Sequence, residues 1–198
     1  KKRRGNNIQT IVVVGAGTMA EALIAGMVNQ AVINPKGLFV MNKGDDNRLY
    51  SLQQKYGISI VCEQRDALRE ADLVVLATKP QDVHQAMLDI SSTINRSSAV
   101  LSVIAGVSID TIEKGLGARP IARAMPNTSA TIGKSATGIA FNHEVDTSLE
   151  TQFLTLLEAI GLVQQVDEQD LHTVTALSGS GPAYVYYLVE ALEEAAIQ

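Results

Sequence analysis

Apolar positions along the chain keep two alternating rhythms. Short β-branched or aliphatic runs predict strands at 10–14, 38–41, 58–61, 73–77, 99–104, 121–124, 136–141 and 162–166. Between most of them, apolar residues three and four apart predict helices at 18–29, 47–56, 64–71, 81–90, 108–115 and 146–160. Such alternation buries its apolar surface best as a mainly parallel sheet with helices on both faces, so the expected class is α/β, a Rossmann-type doubly wound sheet. Leu149, Phe153, Leu156, Leu157 and Ile160 form one stripe on the clearest helix, and Gly161 is placed to cap it. Beyond Val166 the strand rhythm stops. Glu168 to Leu177 reads as helix, Ser178-Gly179-Ser180-Gly181-Pro182 as a break, and Pro182 to Gln198 as a long helix. The expected division is a sheet domain over 1–166 and the start of an all-helical C-terminal domain over 167–198. The last helix lacks a capping Gly or Pro and its apolar face still repeats at Gln198, the pattern of a truncated chain.

The first strand and helix meet at a glycine corner. Ile11 to Val14 is a continuous β-branched run, suited to a strand buried on both faces, whereas Ala20, Leu23, Ile24, Met27 and Val28 keep helical spacing. Between them, Gly15-Ala16-Gly17-Thr18-Met19-Ala20 has the form of a dinucleotide-binding turn. Gly15 permits the tight turn, Gly17 leaves backbone open to phosphate, and Ala20 stands where helix packs on strand. The helix N-terminus offers free amides and a positive dipole end to a diphosphate. The glycines alone are equally a tight turn; the strand before and the helix after favour the nucleotide.

Composition narrows the classes. A net charge of −5 argues against a nucleic-acid surface, and the only basic cluster, Lys1-Lys2-Arg3-Arg4, reads as a solvated tail. No apolar run approaches the roughly 18 residues needed to span a bilayer, and the start lacks a signal-peptide core, so the expected location is cytoplasmic. The single cysteine, Cys62, reads as a packed or inert thiol. His84, His143 and His172 have no ligand spacing, so no metal is expected. No nucleophile and base arrangement favours hydrolysis, and Glu190, Glu193 and Glu194 read as a solvated helix face.

Several loops fall at the carboxyl ends of the predicted strands, where open α/β sheets bind ligands. Asn42-Lys43 ends the second strand, near where an NAD-selective site places a carboxylate on the ribose. An amide and an ammonium there favour NADP(H), with NAD(H) still possible; Asp45 and Asp46 lie slightly further on, and Asn42-Lys43-Gly44 also reads as a plain turn. In Thr78-Lys79-Pro80-Gln81, Thr78 and Gln81 have capping-box spacing and Pro80 suits a first helical turn, which leaves Lys79 to touch cofactor or solvent. Ala105-Gly106 would admit a flat nicotinamide or form a tight turn. Arg123-Ala-Met125-Pro126-Asn127-Thr128 is a further crevice segment, or a loop with Arg123 in a surface ion pair. Ser178-Gly179-Ser180-Gly181 precedes a helix whose free amides could take a substrate carboxylate; a helix–helix corner would use the same residues. Val185, Leu188, Val189 and Leu192 form an apolar stripe suited to further helices or another subunit.

Taken in order, Gly-Ala-Gly-Thr-Met-Ala at 15–20, Ala-Thr-Lys-Pro-Gln at 77–81, Ser-Val-Ile-Ala-Gly-Val at 102–107, Arg-Ala-Met-Pro-Asn-Thr at 123–128 and Ala-Leu-Ser-Gly-Ser-Gly-Pro-Ala-Tyr at 176–184 resemble the pyrroline-5-carboxylate reductase family from Ile8 onward. The resemblance implies reduction of the cyclic imine 1-pyrroline-5-carboxylate to L-proline, the last step of proline biosynthesis, with NADPH usually preferred. It implies that Gly15, Ala16, Gly17, Thr18 and Met19 cradle the pyrophosphate, that Asn42 and Lys43 hold the adenosine phosphate, and that Ala77, Thr78, Lys79, Pro80 and Ala105 line the nicotinamide end. It puts Asn127, Ser178, Gly179, Ser180 and Gly181 on the substrate side and implies a homodimer or higher homo-oligomer through C-terminal helices. It names no general acid. Ser129 departs from the family's usual proline, and the later helices of relatives carry a threonine loop for the substrate carboxylate, so the chain as given is expected to bind cofactor without necessarily turning over substrate. The alternatives are a related NADP-dependent reductase of another small acid and a non-catalytic nucleotide-binding regulator.

Overall fold

The computed structural model describes residues 7–61 and 66–197. The basic cluster at 1–4, Cys62, the start of the helix expected from 64, and Gln198 lie outside the described residues. Within them, β1 (Ile11–Val14), β2 (Leu38–Met41), β3 (Ser59–Ile60), β4 (Leu73–Leu76), β5 (Ala99–Ser102), β6 (Ile121–Met125), β7 (Ser135–Phe141) and β8 (Gly161–Gln165) form one sheet in the order β3-β2-β1-β4-β5-β6-β7-β8. Neighbours pair in parallel except β6 and β7, which are antiparallel. The run β3-β2-β1-β4-β5-β6 is the doubly wound order, whose strand sequence reverses between β1 and β4 and opens a crevice at their carboxyl ends. The expected α/β Rossmann-type fold is borne out.

The helices are α1 (Thr18–Asn29), α2 (Asp46–Tyr56), α3 (Ala67–Glu70), α4 (Val83–Ser91), α5 (Ile109–Leu116), α6 (Thr147–Glu158), α7 (Leu171–Val174) and α8 (Gly181–Ile197). The continuous run of β1 serves two cores at once. Ile11 and Val13 pack with Leu23, Ile24 and Met27 of α1 and Phe153 and Leu157 of α6, while Val12 and Val14 face Val83, Met87 and Ile90 of α4 and Ile112 and Leu116 of α5. Burial on both faces is why no polar residue interrupts the strand. Side-chain caps fix several helix starts: Asp45 accepts from the Arg48 amide at 2.9 Å, Ser108 from Thr111 at 3.1 Å and Asp146 from Leu149 at 2.9 Å.

Two local expectations are corrected. Gly161 does not cap α6, whose C-cap is Ala159; it opens β8 at φ +146, where a Cβ would lie 2.1 Å from the Ser135 carbonyl oxygen. Close strand pairing, rather than helix termination, demands glycine there. The break expected at Ser178–Pro182 is instead a π-turn over Thr175–Gly179 that joins α7 to α8. The Ser180 amide reaches back five residues to the Thr175 carbonyl at 2.9 Å, and the Ser180 hydroxyl donates to the same oxygen at 3.1 Å. Small residues at 178–181 thus accommodate an inserted residue in a continuing helix.

Candidate functional site

The crevice begins at the end of β1. The Gly15 amide donates to the Met41 carbonyl at 2.8 Å, and the Ala77 amide to the Val14 carbonyl at 2.9 Å, so the turn is stitched to both neighbouring strand ends. Gly15 has φ +112, and a Cβ on it would stand 2.5 Å from the Ala77 carbonyl oxygen. Gly17 differs: its backbone is extended, it is exposed, and a Cβ there would meet nothing within 4 Å. The first intrahelical bond of α1 runs from the Glu21 amide to the Gly17 carbonyl at 3.0 Å. The amides of Thr18, Met19 and Ala20 therefore precede the hydrogen-bonded ladder, at the positive end of a twelve-residue helix. An open backbone cradle beside these donors fits a diphosphate.

At the neighbouring strand end, Asn42 and Lys43 are exposed, and among the described residues no hydrogen bond or ion pair engages their side chains. A network invisible to sequence reasoning lies between this edge and the glycine turn. Arg48, in the first turn of α2, donates from Nε to the Ala16 carbonyl at 2.8 Å and pairs through its other arm with Glu21 of α1. The second Glu21 oxygen accepts from Lys55 Nζ and from the Tyr56 hydroxyl, both at 2.9 Å. The Lys55 and Arg48 hydrogen bonds, in that order of effect, hold the Glu21 carboxyl down at about 2 against an ordinary 4.5. Its only sequence signal was a charged residue in the first turn of each helix, which normally means solvent.

The sign of this shift fixes a pH dependence. A carboxyl lowered on folding contributes stability fully above its unfolded value near 4.5, and that contribution is lost as pH falls from there toward 2. With the Glu21 side chain 23% exposed, solvent screening leaves about 1–2 kcal/mol. Glu21→Gln is expected to flatten the acid limb of a stability-against-pH curve measured by urea unfolding; an unchanged limb would assign it to other carboxylates.

The Thr78–Gln81 capping box does not form. Lys79 is the N-cap of a short 3-10 turn at Pro80–Asp82, no side-chain hydrogen bond caps it, and the buried Thr78 Oγ1 has no hydrogen-bond partner among the described residues. The turn leads into α4 with little left to cap, because Pro80 has no amide to satisfy and the Asp82 amide donates back to the Lys79 carbonyl at 3.0 Å. Thr78→Val should raise the thermal midpoint by a few degrees, about 1 kcal/mol, because it removes an unsatisfied hydroxyl at nearly constant shape. A lowered midpoint would mean that the hydroxyl is satisfied in solution. Lys79 and Pro80 are exposed, Ala77 and Ala105 half-buried, and Gly106 exposed, at the ends of β4 and β5.

Beyond β6 the structure joins two segments that are distant in sequence. Asn127 Nδ2 reaches the Ser178 hydroxyl at 3.1 Å and carbonyl at 3.2 Å, Asn127 Oδ1 accepts from the Ser129 amide at 3.0 Å, and the Ser178 hydroxyl donates to the Ala136 carbonyl at 2.8 Å. Gly179 fits close against Met125, its Cβ position lying 3.4 Å from the methionine methyl. Ser180 and Gly181 follow on the same turn, but the Ser180 amide is committed to Thr175, so the expected row of free amides is not complete. Arg123 does form an ion pair, yet not at the surface: it is 4% exposed and meets Glu168 Oε1 at 3.1 Å. The same oxygen accepts from the Ile109 amide at 2.8 Å. Glu168 thereby links β6, the start of α5 and the C-terminal helices.

His84, His143 and His172 are exposed and apart, and among the described residues no cluster of three or more His, Cys, Asp or Glu could hold a metal ion. Glu190, Glu193 and Glu194 face solvent. Val185, Leu188, Val189 and Leu192 lie exposed on α8, whose described residues include none that is buried. Among the described residues no helix is long and apolar enough to cross a membrane.

Comparison with known proteins matches two family models, described as NADP oxidoreductase, coenzyme F420-dependent, over residues 10–106 and as pyrroline-5-carboxylate reductase dimerisation over residues 168–198. The chain is 38% identical over 181 residues to a pyrroline-5-carboxylate reductase of Staphylococcus epidermidis, spanning 91% of this chain and 67% of the relative. Among solved structures, the pyrroline-5-carboxylate reductase of Coxiella burnetii superposes with a TM-score of 0.86 at 34% identity, over 97% of this chain and 72% of that one. The Plasmodium falciparum pyrroline carboxylate reductase with NADP bound superposes with a TM-score of 0.83 at 26% identity, over 96% of this chain and 70% of that one. The likeness runs through both the glycine turn and the helical segment that Glu168 fastens to the sheet, and on it this chain belongs to the pyrroline-5-carboxylate reductase family, a family of oxidoreductases.

Proposed function

We propose that the chain reduces 1-pyrroline-5-carboxylate to L-proline with a nicotinamide nucleotide, NADP(H) in preference to NAD(H). The observation that carries this reading is the open backbone cradle at Gly15–Met19 on the same sheet edge as the Asn127–Ser178 contact. When bound, the reduced nicotinamide supplies hydride to C5 of the imine, whose ring nitrogen carries a proton. The protein's part is alignment and charge matching. In this reading Gly15, Ala16, Gly17, Thr18 and Met19 hold the diphosphate, and Ala77, Thr78, Lys79, Pro80 and Ala105 border the nicotinamide. The Asn127 Nδ2 donation to Ser178 fixes the loop after β6 against the helical segment; with Gly179, Ser180 and Gly181 these two residues bound the substrate side.

Cofactor preference rests on Asn42 and Lys43, an amide and an exposed ammonium where a carboxylate would favour a free ribose hydroxyl. Lys43→Ala should weaken NADPH about tenfold and leave NADH within about twofold, measured by calorimetric titration. Equal losses for both nucleotides would remove Lys43 from the 2′-phosphate.

The proposed division is a nucleotide-binding domain over 1–166 and a helical segment over 167–198 that serves substrate and self-association. The exposed apolar stripe of α8 and the matched dimerisation segment support a homo-oligomer. The activity test is direct: protein, NADPH and pyrroline-5-carboxylate should consume the absorbance of the reduced cofactor. Nucleotide binding without oxidation would favour a regulator.

A further inference from the structure

Diphosphate recognition by backbone amides works only if the peptides carrying them are held in one orientation. The Ala16–Gly17 peptide is trans, as are all the described peptide bonds, so the Ala16 carbonyl and the Gly17 amide point in opposite directions. Arg48 Nε grips that carbonyl from the α2 side at 2.8 Å, which turns the Gly17 amide away from α2. The guanidinium is itself held, since its other arm is bound to Glu21, and Glu21 is held in turn by Lys55 and Tyr56. A free arginine near Asn42 and Lys43 would be expected to reach for a 2′-phosphate. This one would have to break two hydrogen bonds to do so. Glu21 also sits one turn into the helix that faces the diphosphate, and its negative charge there is balanced by Arg48 and Lys55.

We propose that Arg48 is a positioning residue for the nicotinamide nucleotide: it orients the Ala16–Gly17 peptide toward the diphosphate and does not read the 2′-phosphate. This rests on the cofactor reading above. Because NADH and NADPH share the diphosphate, the consequence of losing Arg48 is common to both, whereas a 2′-phosphate contact belongs to NADPH alone.

Arg48→Met keeps the aliphatic stem and removes every donor; Arg48→Lys keeps the charge but cannot span both acceptors. Each variant and the parent chain are titrated with NADPH and with NADH by calorimetry, and KM and kcat are measured with both nucleotides. Arg48→Met is expected to weaken the two nucleotides by the same factor, about five- to tenfold, with KM raised in step and kcat unchanged. Arg48→Lys should recover part of the loss for both. A loss confined to NADPH would overturn the proposal in favour of phosphate reading, and unchanged affinities would overturn it by showing that the turn holds itself. Should Arg48→Met fail to fold, the equal, smaller loss expected of Arg48→Lys carries the test. A parent chain that binds neither nucleotide contradicts the cofactor reading itself, an outcome distinct from either variant result.

Discussion

Gly15→Ala and Gly17→Ala, two residues apart in one turn, should fail in different ways. The first is expected to cost about 3–5 kcal/mol of stability, because the new Cβ is driven to 2.5 Å from the Ala77 carbonyl oxygen while the backbone is held at φ +112. Neither obstacle can relax cheaply: the obstructing atom is main chain between β4 and α4, and the Gly15 amide is itself bound to Met41. Gly17→Ala meets no atom within 4 Å, so its urea midpoint should shift by less than about 1 kcal/mol. Its methyl group instead occupies the approach to the helix amides, and nucleotide affinity should fall by about tenfold or more. Unfolding curves and nucleotide titrations of both variants separate a glycine needed by the fold from one needed by the ligand. A destabilised Gly17→Ala with undiminished binding would reverse the assignment.

Glu168→Ala should lower stability by about 2–3 kcal/mol and the thermal midpoint by about 5–10 °C. Most of that cost falls on what the carboxylate leaves behind. Arg123 is 4% exposed, and without Glu168 its charge would have no partner among the described residues, while the Ile109 amide would lose its acceptor at the start of α5. The Glu168 side chain is 34% exposed, which admits some water and keeps the cost below that of a fully buried pair. Glu168→Gln retains an oxygen for Ile109 and should lose about half as much. If both variants melt with the parent, the contact is no stronger than a surface ion pair.

Much of the fold was legible because its signals are local. A β-branched run such as Ile11–Val14 has few alternatives to a doubly buried strand, and the apolar stripe from Leu149 to Ile160 has few alternatives to a helix packed on one face. Even Asn127 and Ser178, 51 residues apart, were singled out before the fold brought them together. The misreadings arose where a local signal met a tertiary demand. Gly161 looked like a helix cap because glycine also suits strand pairing too close for a Cβ. Ser178–Gly181 looked like a break because small residues also suit a π-turn. Thr78 and Gln81 have capping spacing, but the 3-10 turn at Pro80–Asp82 starts one residue later, with Lys79 at its N-cap. The Glu21–Arg48–Ala16 network gave no usable signal, since a charge in the first turn of a helix pairs with solvent far more often than with another helix. Arg123 showed the limit most plainly: its ion pair was foreseeable from its type, its burial was not.

The central claim is that a reduced nicotinamide nucleotide lies along the carboxyl edge of the sheet with its diphosphate on the turn after β1. Backbone amide chemical shifts recorded during titration with NADPH test it most directly. The largest changes are expected at Gly17, Thr18 and Met19, followed by Asn42, Lys43, Lys79 and Ala105, which follow the carboxyl ends of β2, β4 and β5. Saturable binding that leaves the Gly17–Met19 amides unmoved, with the shifts gathered elsewhere on the protein, would contradict it.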